Sequence, residues 1–192
     1  MIRFIHTADW QIGKPFACIE HPDKRARLRH ERIEMIRRIG EAVRERQVSF
    51  VLVAGDLFDS STPDTSTVSA ACRAIGSIDV PVLVIPGNHD HGGPGSVWEQ
   101  EFFLREKELF ANNHRLLAKP EMTEESGVCI FPCPLIREQS ADDITSLLRD
   151  PNVWTVAPAG KPRVILAHGS VQGLSSVSDD EEPMRFEPEF IL

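Results

Sequence analysis

Four polar residues stand where short apolar runs stop: Asp9 after residues 3–6, Asp56 after 50–54, Asn88 after 81–85 and His168 after 163–167. Two carboxylates, an amide oxygen and an imidazole form a set of metal donors. Oxygen mixed with imidazole suits a divalent transition ion such as manganese, iron or zinc better than the oxygen cages of calcium or magnesium. A carboxylate placed centrally can bridge two ions about 3.5–4 Å apart, which polarises a phosphoryl oxygen and activates a water for in-line attack. The set is suited to phosphoester hydrolysis.

Residues so far apart in the chain meet only if the runs that carry them are neighbouring strands with their carboxyl ends aligned. Between the runs, Leu28, Met35, Ile36, Ile39 and Val43 recur at helical spacing, which predicts a long helix over 23–47 with these residues inward. Pro63-Asp64 opens a second helix that would bury Val68, Cys72, Ile75 and Ile78. A third helix is expected over 97–110, a further strand over 127–131 before the breakers Pro132 and Pro134, and a short helix over 141–149 with Ser140 as its N-cap. Strands alternating with helices imply an α/β fold with largely parallel, buried strands. In such sheets the carboxyl ends of adjacent strands converge on one crevice.

The chain has 192 residues, of which 41% are hydrophobic, enough for a single domain over 1–192. A net charge of −8 excludes a protein that holds nucleic acid by bulk attraction, because phosphate contacts require clustered Lys and Arg. One local cluster exists, Arg25, Arg27, Arg29, Arg32, Arg37 and Arg38, but Glu31, Glu34 and Glu41 interleave with it, which predicts a solvated helix face laced with ion pairs. Cys18, Cys72, Cys129 and Cys133 form no CxxC pair and are expected to be reduced and structural. With no long apolar span and no signal-peptide pattern at the start, a cytoplasmic protein without membrane contact is expected. The acidic, Ser-rich stretch 175–182 is expected to be mobile.

Asp9-Trp10-Gln11, Gly55-Asp56-Leu57-Phe58-Asp59 and Gly87-Asn88-His89-Asp90 match, in order, the first three signatures of the calcineurin-like metallophosphoesterases (DxH, GDxxD, GNHD), and His168 in Ala167-His168-Gly169 fits the fourth. Residues 6–13, His-Thr-Ala-Asp-Trp-Gln-Ile-Gly, further resemble the opening of SbcD-type DNA-repair nucleases. The resemblance covers the chain to about residue 173. It implies an αββα sandwich and two divalent ions, most readily manganese, with iron, zinc or magnesium as alternatives. It also implies that Asp9 binds the first ion, Asp56 bridges, and Asn88 and His168 bind the second. His89 would protonate the leaving oxygen or steady the phosphate, with its ring oriented by Asp59 or Asp90.

Two departures from the family pattern stand out. Gln11 replaces the imidazole of the first signature with a weaker, neutral oxygen ligand to the first ion. The closing Gly-His-x-His does not follow His168, so the fold is expected to be C-terminally incomplete and the second ion to bind more tightly than the first. The resemblance implies a DNA nuclease acting beside an SbcC-type ATPase. Two other readings stay open, a binding or scaffold domain without turnover and a hydrolase of small phosphoesters.

Overall fold

The computed structural model describes residues 2–137, 143–171 and 185–186. The chain begins with β1 (Phe4–Thr7), α1 (Pro22–Arg46), β2 (Phe50–Ala54), α2 (Thr65–Gly76), β3 (Val82–Ile85), α3 (Glu101–Phe110) and β4 (His114–Leu116). The four strands form a parallel sheet in their chain order. Stepping always in one direction with crossovers of one hand puts every connecting helix on the same face. Accordingly Val51, Val53, Val82 and Val84 pack against Ile36 and Val43 of α1, Val68, Cys72 and Ile75 of α2, and Phe103 of α3.

Alternate residues of the same strands point the other way. Phe50, Leu52, Ala54, Leu83 and Ile85 bury themselves against Val128, Ile130 and Leu166 of a second sheet. That sheet contains β5 (Thr123–Glu125), β6 (Val128–Cys133) and β7 (Arg163–Ala167), with β6 parallel to β7 and antiparallel to β5. Its outer face, Cys129, Phe131 and Cys133, is covered by Leu148 of a 3-10 turn and by Val153 and Trp154 of α4 (Pro151–Thr155). Helices, sheet, sheet and helices make the expected αββα sandwich. Two-residue strands β8 (Ser170–Val171) and β9 (Arg185–Phe186) pair in parallel.

Several sequence expectations change in detail. The third helix is interrupted at Gln100, where an extended backbone separates a 3-10 turn, Val97–Glu99, from α3. The short helix expected over 141–149 is a 3-10 turn, Ser146–Arg149, followed by α4, whose N-cap is Asp150; Ser140 and Ala141 lie outside the described residues, as does 175–182. Pro132 does not stop β6. The Cys129 amide donates towards the β7 side, to Pro162 O, so alternation turns position 132 to the other side, where β5 has already ended. Strand β5 has no apolar signal, and it is joined to β6 by Ser126 and Gly127, both at positive φ as a tight hairpin turn requires. Cys18 is exposed, whereas Cys72, Cys129 and Cys133 are buried, and all are free thiols.

Helix α1 is anchored through Ile36, Gly40 and Val43, with Ile33, Met35 and Ile39 partly buried; Leu28, expected inside, lies at the exposed end. Ion pairs Glu34–Arg37 and Glu31–Arg38 do lace its outer face. Ile36→Ala should therefore cost about 2–5 kcal/mol, whereas Leu28→Ala, Arg37→Ala and Arg38→Ala should each cost about 0–1 kcal/mol. Denaturant midpoints check this order, and an Arg37 variant less stable than the Ile36 variant would refute it. Among the described residues no helix is long and apolar enough to cross a membrane.

Candidate metal centre

The ends of β1, β2, β3 and β7 meet at one edge of the sandwich, and their loops are fixed by backbone hydrogen bonds beyond the strands. Asp9 N donates to Gly55 O (3.2 Å), Gln11 N to Asp56 O (2.8 Å), Ile12 N to Leu57 O (2.9 Å) and Asp59 N to Ile12 O (3.1 Å). Asp9, Gln11 and Asp56 all have positive φ, 55°, 42° and 53°. Non-glycine residues persist there only when their surroundings over-determine them, and such positions cluster at functional sites.

Two glycines permit the close approach. A Cβ on Gly55, whose φ is +80°, would come within 2.5 Å of the His168 ring. One on Gly87 would lie 2.1 Å from Asp56 Oδ1 and 2.4 Å from Asp56 N.

Ligand atoms of Asp9, Asp56 and His168 all lie within 4.8 Å of one another. The His168 ring has Nδ1 2.8 Å from the carbonyl of Ala54, which can only accept. In the neutral tautomer that this bond selects, Nε2 carries a lone pair, and it faces Asn88 Oδ1 at 2.9 Å and Asp56 Oδ2 at 3.6 Å. With that tautomer the three facing atoms are all electron-rich, an arrangement that a cation satisfies. A backbone carbonyl holding the far nitrogen of an imidazole is also the usual orienting contact of a metal-bound histidine. Burial pushes the Asp56 carboxyl above the usual carboxylate range, opposed by the His168 ring and the His89 amide. The donors fit a divalent ion: at metal–ligand distances of about 2.0–2.2 Å, neighbouring donors stand roughly 3–4 Å apart.

The His89 amide donates to Asp56 Oδ1 (3.0 Å), and its exposed ring places Nε2 3.9 Å from Asp56 Oδ2. Its other nitrogen, Nδ1, lies 3.1 Å from Asp59 O. The orienting group is therefore the Asp59 backbone carbonyl, a role that any residue could fill. Asp90 is turned inward, where its carboxylate accepts from Gly87 N (2.8 Å) and Phe58 N (3.0 Å) and its carbonyl from the Trp98 indole. Burial pushes its carboxyl up to about 6 against those amide bonds. Asp90 thus ties the loop after β3 to the loop after β2.

Gln11 has its side-chain oxygen 2.7 Å from Lys14 Nζ, and the same ammonium lies 3.7 Å from Asp59 Oδ1. Lys14 is not among the residues that the sequence motifs bring to the site; its only sequence signal is its place three residues after Gln11. Arg32 shares its spacing with the surface cluster. Its guanidinium instead donates to Trp10 O (2.7 Å) and Asp9 O (3.3 Å), fastening α1 to the loop that carries Asp9. Arg25 likewise holds Ile19 O (2.8 Å) in the loop preceding α1.

The model of the calcineurin-like phosphoesterase family matches residues 2–190, and the chain belongs to that family. Among solved structures, that of TT1561 of Thermus thermophilus is similar at 14% identity, with a TM-score of 0.55 over 91% of this chain and 72% of that one. At that identity the likeness concerns the fold alone. Another solved structure matches at 15% identity and a TM-score of 0.43, over 69% of this chain and 52% of that one, so the match spans about half of its length.

Proposed function

We propose that this chain hydrolyses phosphodiester bonds in DNA in a metal-dependent reaction, as a nuclease of the SbcD type working with an SbcC-type ATPase. The observation that carries hydrolysis is the convergence of Asp9, Asp56, Asn88 and His168, with the His89 ring on an exposed loop beside it. A bound divalent ion supplies Lewis-acid polarisation of a phosphoryl oxygen and lowers the pKa of a coordinated water. The chain's own part is to hold that ion through these donors and to hold a proton at His89 Nε2 for the leaving oxygen, while Asp59 O fixes Nδ1. DNA as the substrate is supported by the likeness of residues 6–13 to the opening of repair nucleases, and manganese by the mixed oxygen and imidazole donors.

A second reading, a scaffold that keeps the fold without turnover, is favoured by the engagement of the Gln11 oxygen by Lys14. Manganese-supplemented assays on duplex and single-stranded DNA, beside a small chromogenic phosphodiester, separate the readings. DNA cleavage abolished by chelator is the expected result. Hydrolysis of the small substrate alone would make the protein a small-phosphoester hydrolase, and no hydrolysis of either would leave the scaffold.

A further inference from the structure

We infer that Lys14 is a built-in cation on the Gln11 side of the centre, so that the protein holds one divalent ion beside an ammonium rather than two ions. The inference rests on the metal-centre reading. The donors are asymmetric: ligand atoms of Asp9, Asp56 and His168 lie within 4.8 Å of one another, with Asn88 Oδ1 2.9 Å from His168 Nε2, whereas the oxygen of Gln11 is engaged 2.7 Å from the Lys14 ammonium.

Lys14 is held by its own loop. Its amide donates to Gln11 O (3.2 Å), Gln11 N is bonded to Asp56 O (2.8 Å) and Ile12 O accepts from Asp59 N (3.1 Å), so the backbone preceding the lysine is joined to the chain that carries Asp56 and Asp59. The Asp59 carboxylate, 3.7 Å away, pairs with the ammonium. An ammonium is a compact point charge, and here it is bonded to the Gln11 oxygen and paired with the Asp59 carboxylate beside the Asp9, Asp56 and His168 group. An ion bound through the Gln11 oxygen would share that oxygen with the lysine and stand beside it at like charge. Replacing imidazole by an amide at position 11 is consistent with this, because a glutamine oxygen accepts from an ammonium, whereas a histidine nitrogen committed to a metal cannot.

The test is manganese stoichiometry by calorimetry, with electron paramagnetic resonance of the loaded protein, for the parent, Lys14→Met and Lys14→Arg. Met keeps the apolar stem and removes the charge; Arg keeps the charge and serves as the control. The parent and the Lys14→Arg variant should take one equivalent and show the signal of an isolated manganese ion. Lys14→Met should admit a second equivalent about tenfold or more tightly than the parent does, the scale on which neighbours of metal ligands act, with the signal of an exchange-coupled pair. Two equivalents in the parent, or a single isolated ion in the folded Lys14→Met variant, would overturn the role of Lys14 while leaving the metal centre in place. No manganese binding at all would overturn both. Circular dichroism melts establish that each variant is folded.

Discussion

Asp56→Asn should abolish tight binding of a divalent ion while leaving the metal-free protein as stable as the parent or more so. The carboxylate is buried, faces the imidazoles of His168 and His89 at 3.6 and 3.9 Å, and accepts the His89 amide at 3.0 Å. Asparagine keeps the shape, keeps an oxygen for that amide and tolerates the left-handed backbone at this position, where alanine would add strain. What it removes is the charge. Affinity for manganese should fall by more than the roughly 10–100-fold that loss of an orienting neighbour alone costs. Because burial raises the Asp56 carboxyl, the folded state holds its proton more tightly than the unfolded chain does. Stability from this group is therefore lost as pH rises above the unfolded value of about 3.9. In chelator, Asp56→Asn should exceed the parent in melting temperature near neutral pH, and the gain should vanish below about pH 4, where the group is protonated in the folded and unfolded parent alike. A variant that binds manganese as the parent does would remove Asp56 from the centre.

Such a trade between stability and binding explains why part of the site is legible in sequence. Asp56 and Asn88 follow wholly buried apolar strands, and Asp9 and His168 follow the more exposed β1 and β7; a polar group at the end of each of four such strands has few structural reasons to be there. Those same runs define β1, β2, β3 and β7, so the fold and the donors are visible together. Strands β4 and β5 are not, because they pair at sheet edges and carry His114, Arg115, Glu124 and Glu125, which read as loop. His114 is a sharper case: it is buried against Trp98 and Phe103 with neither ring nitrogen hydrogen-bonded, and burial pushes it down to about 3, so it packs as a neutral aromatic. Side chains that act on backbone are also hidden. Arg32 shares its spacing with the arginines of the solvated face, and only the fold brings the loop of Asp9 and Trp10 within its reach. Asp59 and Asp90 are legible as acids near the site but not in their tasks, since the first holds His89 through its carbonyl and the second closes two loops from beneath.

His89→Ala should keep the ion and lose turnover, and the size of the loss should depend on the leaving group. The contact of residue 89 with the buried donor is made by its amide to Asp56 Oδ1, which alanine retains, so manganese affinity should change little. Its ring is exposed, anchored at Nδ1 by Asp59 O and directed towards the donors at Nε2. A ring fixed at one nitrogen and free at the other is placed to deliver a proton. Removing a general acid typically costs about 10²–10⁴-fold in rate. That cost falls on a substrate whose leaving oxygen is a strong base, as the sugar oxygen of a DNA strand is. A nitrophenolate leaves without a proton, so on a chromogenic phosphodiester the loss should shrink to a small factor. Asp59→Asn, which retains the carbonyl that holds the ring, should leave the contrast between the two substrates unchanged. Equal losses on both substrates would instead assign His89 to steadying the phosphate, and parental activity on DNA would remove it from the reaction.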